Sequence, residues 1–114
     1  MTNFSSSRQR LDDGRGLIVL KGEVDIYTAP RFKEDLLALI DDGVTDILVD
    51  LMGVEFIDST ALGVLIGGVK RLHPLDGRLL LIAGPRPVLK ILAITGLDQV
   101  FSVYPDREQA LAAL

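Results

Sequence analysis

With 114 residues, 48% of them hydrophobic and 25% charged, the chain has the composition of one ordinary globular domain: enough to bury a core, too little for two, and neither disordered nor collagen-like. A net charge of −4 with no visible cluster of Lys and Arg argues against nucleic-acid binding, whose affinity comes from phosphate contacts. The lack of Cys excludes disulfides and thiolate metal sites, a single His leaves no histidine-rich zinc site, and neither residues 1–10 nor any apolar run has the pattern of a signal peptide or membrane span, so a cytoplasmic protein without cofactor or metal, off the membrane, is expected.

Residues 1–10 read as a flexible N-terminal tail and 11–114 as the domain, with 11–13 either an edge strand or the end of the tail. Leu17 to Leu20 is the first near-continuous apolar run, the pattern of a strand buried on both faces. A helix follows from about Pro30 to Asp42, with Phe32, Leu36, Leu39 and Ile40 at helical spacing, Thr28 as its cap and Gly43 as its stop. Ile47 to Leu51 reads as the next strand and about Ser59 to Leu72 as the second helix. Leu79 to Ala83 is the third apolar run, and a helix from about Pro85 to Thr95 carries Val88, Leu89, Ile91 and Leu92 before Gly96 ends it. A strand around Val100 to Tyr104 and a helix starting at Asp106, where Gln109 completes a capping-box pattern, close the chain. Alternation of strand and helix throughout implies right-handed crossovers and an α/β fold: a mostly parallel, four- to five-stranded sheet with about four helices packed on it.

Between the second strand and second helix, Asp58-Ser59-Thr60 supplies three good helix-starting residues, and ordinary capping accounts for them as an isolated pattern. On a helical wheel Ala61, Leu62, Leu65, Ile66, Val69 and Leu72 fall within an arc of about 140°, the buried face. Ser59, Gly63 and Gly67 stack at i, i+4 and i+8 on the remaining face, flanked by Thr60, Val64, Gly68, Lys70 and Arg71, so the outward strip is small rather than charged. Each helical glycine costs about 0.8–1 kcal/mol relative to Ala, and close approach of another surface would account for keeping them, whether that surface belongs to this chain or to a docked partner.

The only His, His73, lies about 21 Å from Ser59 if the helix continues, which rules out a serine–histidine dyad and makes His73 a helix-end residue. Glu23, Asp25, Asp50, Glu55 and Asp58 fall in turns and at strand ends, and no metal site is expected of them. Gly63 to Lys70 lacks the Gly-Lys-Ser/Thr ending of a phosphate-binding loop, and Gly84-Pro85-Arg86-Pro87 reads as a strand-to-helix turn.

Two segments, Gly22-Glu23-Val24-Asp25-Ile26-Tyr27-Thr28-Ala29-Pro30 and Phe56-Ile57-Asp58-Ser59-Thr60-Ala61-Leu62-Gly63, together resemble the STAS domain of bacterial anti-sigma factor antagonists. The likeness runs from Leu11 to Leu114 and includes Pro87-Val88-Leu89-Lys90-Ile91-Leu92 and Thr95-Gly96-Leu97. It implies a STAS-like fold and partner switching: an anti-sigma factor that is also a serine kinase binds either the sigma factor or the unphosphorylated antagonist, and binding the antagonist frees sigma. It implies Ser59, after Asp58, as the phosphorylated residue, and a separate serine phosphatase that removes the phosphate. Asp25 matches an acidic position near that serine and is the candidate for partner contact, with turn capping as the alternative. The implied partner-binding set is Asp25, Asp58, Ser59, Thr60, Gly63, Val64 and Gly67. Ala61 departs from the pattern, which usually has Gly there. On this reading the chain is a substrate and ligand of other proteins, not an enzyme. Two other readings stay open: an unphosphorylated STAS scaffold or transporter-associated subunit, against which the intact Asp58-Ser59-Thr60 counts, and a nucleotide-binding STAS domain.

Overall fold

The structure, a computed structural model, describes residues 3–12, 14–84 and 88–114. The expected helix start near Pro85 and most of the turn Gly84 to Pro87 lie outside the described residues, as does Asp13. Strand β1 (Phe4–Arg10) leads into β2 (Arg15–Val24), helix α1 (Ala29–Asp41), β3 (Asp46–Ile57), α2 (Ser59–Leu72), β4 (Arg78–Ile82), α3 (Val88–Thr95), β5 (Ser102–Tyr104) and α4 (Arg107–Ala112). The sheet has five strands in the order β1-β2-β3-β4-β5, with β2 to β5 parallel and β1 antiparallel on one edge.

Because each parallel strand lies beside the one before it, crossovers of one hand carry α1, α2 and α3 to the same face. Strand alternation feeds that face: Ile18 and Leu20 of β2, Ile47, Val49 and Leu51 of β3 and Leu79 and Leu81 of β4 pack against Phe32, Leu36, Leu65, Leu72 and Leu92 of the three helices. The intervening residues Leu17, Leu48, Leu80 and Ile82 form a smaller core on the other face, closed by Ala110 of α4. Asp50 also points to that side and is tied to Arg107 of α4 at 2.9 Å. Both faces of β2 to β4 are therefore covered over part of their length, which is why these strands read as continuous apolar runs.

Residues 4–10 correct the expectation of a flexible tail. They form β1, which pairs with β2 from Phe4 opposite Gly22 to Arg10 opposite Gly16. The strand has no apolar alternation to betray it because it is held by polar groups. Ser6 and Arg8 both reach Asp35 of α1, a carboxylate only 2% exposed, with Arg8 Nη1 at 2.6 Å and the Ser6 hydroxyl donating to the other oxygen. Residues 11–12 form the hairpin turn rather than a strand, Asp12 Oδ1 accepting from the amides of Gly14 and Arg15. At the far end of the hairpin Gly22 has φ of 88°, and a side chain there would run into the Asn3 carbonyl, so the first motif's glycine is needed where the edge strand closes.

β3 extends six residues beyond the predicted run, to Ile57, and its pairing with β2 shifts register twice, between Val19 and Lys21 and again between Gly22 and Glu23. Each shift places one extra residue in β3, and such bulges re-aim the end of a strand. The re-aimed end of β3 passes through Asp58 directly into α2. Among the described residues no helix is long and apolar enough to cross a membrane.

Candidate functional site

The second motif lies where β3 becomes α2, beyond the carboxyl ends of the parallel strands. Asp58 is the N-cap of α2, with extended backbone (φ −111°), and its Oδ1 accepts from the amides of Thr60 (2.9 Å) and Ala61 (3.1 Å). Its own amide donates to Val24 O, which pins the start of α2 to the end of β2. With Asp58 serving as cap, the Ser59 hydroxyl is not needed for it, and Ser59 and Thr60 are both exposed in the first turn. An anion at this point meets the positive end of the helix dipole.

The first motif lies alongside. Asp25 follows the end of β2, and its Oδ1 accepts from the amides of Tyr27 (2.9 Å) and Thr28 (3.1 Å), while its carbonyl accepts from Ala29 N. Thr28 stands at the N-cap of α1 as expected, but its side chain makes no capping bond: its backbone is already helical, and its hydroxyl turns back to donate to Glu23 O and accept from Asp25 N. The turn-capping role of Asp25 is thus real, and it leaves that half-buried residue beside Asp58 with its second carboxylate oxygen unbonded among the described residues. The rigid turn also pushes Ile26 and Tyr27 into solvent, 62% and 84% exposed.

A groove of about 480 Å³ lies between α1 and α2, beginning at Thr60 and Ala29, one or more residues beyond Asp25, Asp58 and Ser59, which do not line it. Thr60, Gly63, Val64, Gly67, Gly68 and Arg71 form one wall, while Ala29, Pro30, Lys33, Leu36 and Leu37 form the other. The helical glycines divide here. Gly68, assigned to the outward strip by the wheel, is buried, and a Cβ on it would stand 2.8 Å from Leu36 Cδ2 and 2.9 Å from Leu79 Cδ1. Its close neighbour is this chain. Gly63 and Gly67 have nothing within 4 Å of a Cβ and keep the groove open. Ala61, where the family motif has Gly, is 0% exposed, so its methyl faces the core rather than the groove.

Ser59, Thr60, Gly63, Val64 and Gly67 therefore share one accessible strip of α2, with Asp58 at its N-cap and Asp25 just past the end of β2, the strand paired with β3. The wall supplied by α1 escaped the sequence reading, although Ala29, Pro30, Lys33 and Leu37 recur at helical spacing off the face defined by Phe32 and Leu39. His73 caps the far end of α2, about 21 Å along the helix from Ser59. Among the described residues no group of three or more His, Asp or Glu side chains is placed to hold a metal ion.

Known proteins share this fold. The STAS domain family matches residues 8–110. An anti-sigma-B factor antagonist of Staphylococcus aureus is 37% identical over 87 residues, 76% of this chain and 81% of that protein. Among solved structures, an anti-sigma factor antagonist from Mycobacterium paratuberculosis superposes with a TM-score of 0.87 at 28% identity, covering 97% of this chain and 93% of that one. The Bacillus cell fate determinant SpoIIAA, solved in its phosphorylated form, shares the fold with a TM-score of 0.74 at 22% identity, over 96% of this chain and 98% of its own.

Proposed function

This chain belongs to the STAS domain family, and on that premise we propose that it is an anti-sigma factor antagonist whose binding is switched at Ser59. Unmodified, it docks on an anti-sigma factor that is also a serine kinase, through Asp25, Asp58, Ser59, Thr60, Gly63, Val64 and Gly67, and so releases a sigma factor. Phosphorylation of Ser59 by that kinase ends the binding, and a serine phosphatase restores it.

The observation that carries this reading is the division of labour at the start of α2. Asp58 satisfies the helix amides, so the adjacent Ser59 hydroxyl is exposed and chemically available, at the head of a strip that Gly63 and Gly67 leave bare. A phosphate there adds about −1.5 to −2 charges at a helix N-terminus, where an anion is tolerated, so the fold need not change. Beside the carboxylates of Asp58 and Asp25 the same charge turns a surface suited to a hydroxyl repulsive toward its former partner, by a few kcal/mol at an effective dielectric near 20. Since each 1.4 kcal/mol is a factor of ten, affinity falls by about tens- to thousands-fold.

Incubation with the cognate kinase and ATP, followed by intact mass and peptide mapping, tests the assignment. One phosphate on wild type, mapped to Ser59 and absent from Ser59→Ala, is the expected result. No phosphate on wild type, or equal labelling of the alanine variant, contradicts it.

A further inference from the structure

The groove carries charges that the Ser59 switch does not use. Two cations, Lys33 on α1 and Arg71 on α2, line it, and no carboxylate does, although the chain as a whole has 16 acidic against 12 basic residues. Six arginines elsewhere, Arg8, Arg10, Arg15, Arg31, Arg78 and Arg107, are held by carboxylates, whereas Lys33 and Arg71, like Lys21, Lys70 and Lys90, form no ion pair among the described residues. Neither has an acidic residue three or four positions away on its helix: the neighbours of Lys33 are Ala29, Pro30, Leu36 and Leu37, and those of Arg71 are Gly67, Gly68, Pro74 and Leu75.

Helix electrostatics explains only one of them. Arg71 is in the last turn of α2, where the dipole favours a cation, whereas Lys33 lies beyond the first turn of α1, where the dipole gives no reason for one. Lys33 is exposed on the wall of an apolar groove. Arg71 stands about 16 Å along α2 from Thr60, well away from the acidic corner.

We propose that the groove seats an acidic segment of the anti-sigma factor, an inference that rests on the function proposed above. An apolar side chain of that segment lies on Leu36, Leu37, Val64 and the bare backbone of Gly67, and its carboxylates meet Lys33 and Arg71. The docking surface is then polarised, acidic at Asp25 and Asp58 and basic along the groove. A segment acidic along the groove is thereby held in one orientation, with its carboxylates kept away from Asp25 and Asp58. The phosphate at Ser59 acts on the acidic end alone and leaves the basic contact untouched.

The test is the affinity of the anti-sigma factor for unmodified wild type, the double variant Lys33→Glu with Arg71→Glu, the neutral pair Lys33→Gln with Arg71→Gln, and a control, Lys21→Glu with Lys90→Glu, which changes net charge equally outside the groove. Each is measured by calorimetry at low and high salt, with thermal midpoints confirming the fold. The expected result is a loss of about tenfold or more for the reversal and a smaller loss for the neutral pair, both with altered salt dependence, while the control stays near wild type. Wild type that binds while both groove variants bind equally well, or a control that loses as much as the reversal, overturns the acidic-segment proposal and leaves the antagonist function standing. Wild type that binds no anti-sigma factor overturns both.

Discussion

Asp58 and Ser59 are adjacent yet do different work, and the distinction is physical. The carboxylate of Asp58 accepts two helix amides, so its removal costs stability whatever the partner does, by about 1 kcal/mol for Asp58→Ala. Asp58→Asn retains a capping oxygen and loses the charge, so it should fold nearly as well as wild type. Urea unfolding of the two variants checks this: a loss in Asp58→Ala that is mostly recovered in Asp58→Asn supports the cap, and equal losses in both contradict it. Asp25 shows how far sequence reached at this scale. The family resemblance marked it as an acidic group near the serine, and the structure adds that one oxygen is committed to the turn of Tyr27 and Thr28. Thr28 holds the N-cap position without a side-chain capping bond because a hydroxyl next to a strand end has a second acceptor, Glu23 O, within reach.

At the scale of the element, α2 was the most legible helix. Its bounds, Ser59 to Leu72, match the predicted ones, because Asp58 marks the start and the apolar periodicity runs unbroken to Leu72. The wheel placed Gly63 and Gly67 correctly and misjudged Gly68, since a wheel gives a direction but not the distance to the neighbouring helix. That difference predicts opposite responses to one substitution. Gly67→Ala fills open space and gains helix propensity, raising stability by about 0.5–1 kcal/mol. Gly68→Ala pushes its methyl into Leu36 and Leu79 and should come out about 1–3 kcal/mol less stable than Gly67→Ala. Denaturant midpoints for the two variants measure it, and equal stabilisation would mean that α1 and α2 are not packed as described.

Across the whole molecule, the centres of β2, β3 and β4 were readable from hydrophobicity alone, and β1 was not. An edge strand buries little apolar area, and this one, Phe4–Arg10, relies on backbone pairing and on Asp35, whose partners Ser6 and Arg8 lie 29 and 27 positions away in sequence. No local pattern encodes such a contact. Asp35→Ala should therefore destabilise the domain by about 1–3 kcal/mol through the loss of these buried polar bonds, and hydrogen exchange should show β1 released before the parallel core. A variant as stable as wild type, with β1 equally protected, would remove Asp35 from that role.

The same sheet places α1 and α2 side by side with their N-termini at one end, so motifs separated in sequence, one ending β2 and one starting α2, become a single corner at the head of a groove. On this account a charge added at that corner alters binding without altering the fold. The most direct measurement is the affinity of the anti-sigma factor for unmodified and for Ser59-phosphorylated protein at the same salt, with thermal midpoints recorded on both. The account predicts a loss of tens-fold or more on phosphorylation, with a nearly unchanged midpoint. Equal affinity of the two forms, or a loss accompanied by unfolding of the domain, would contradict it.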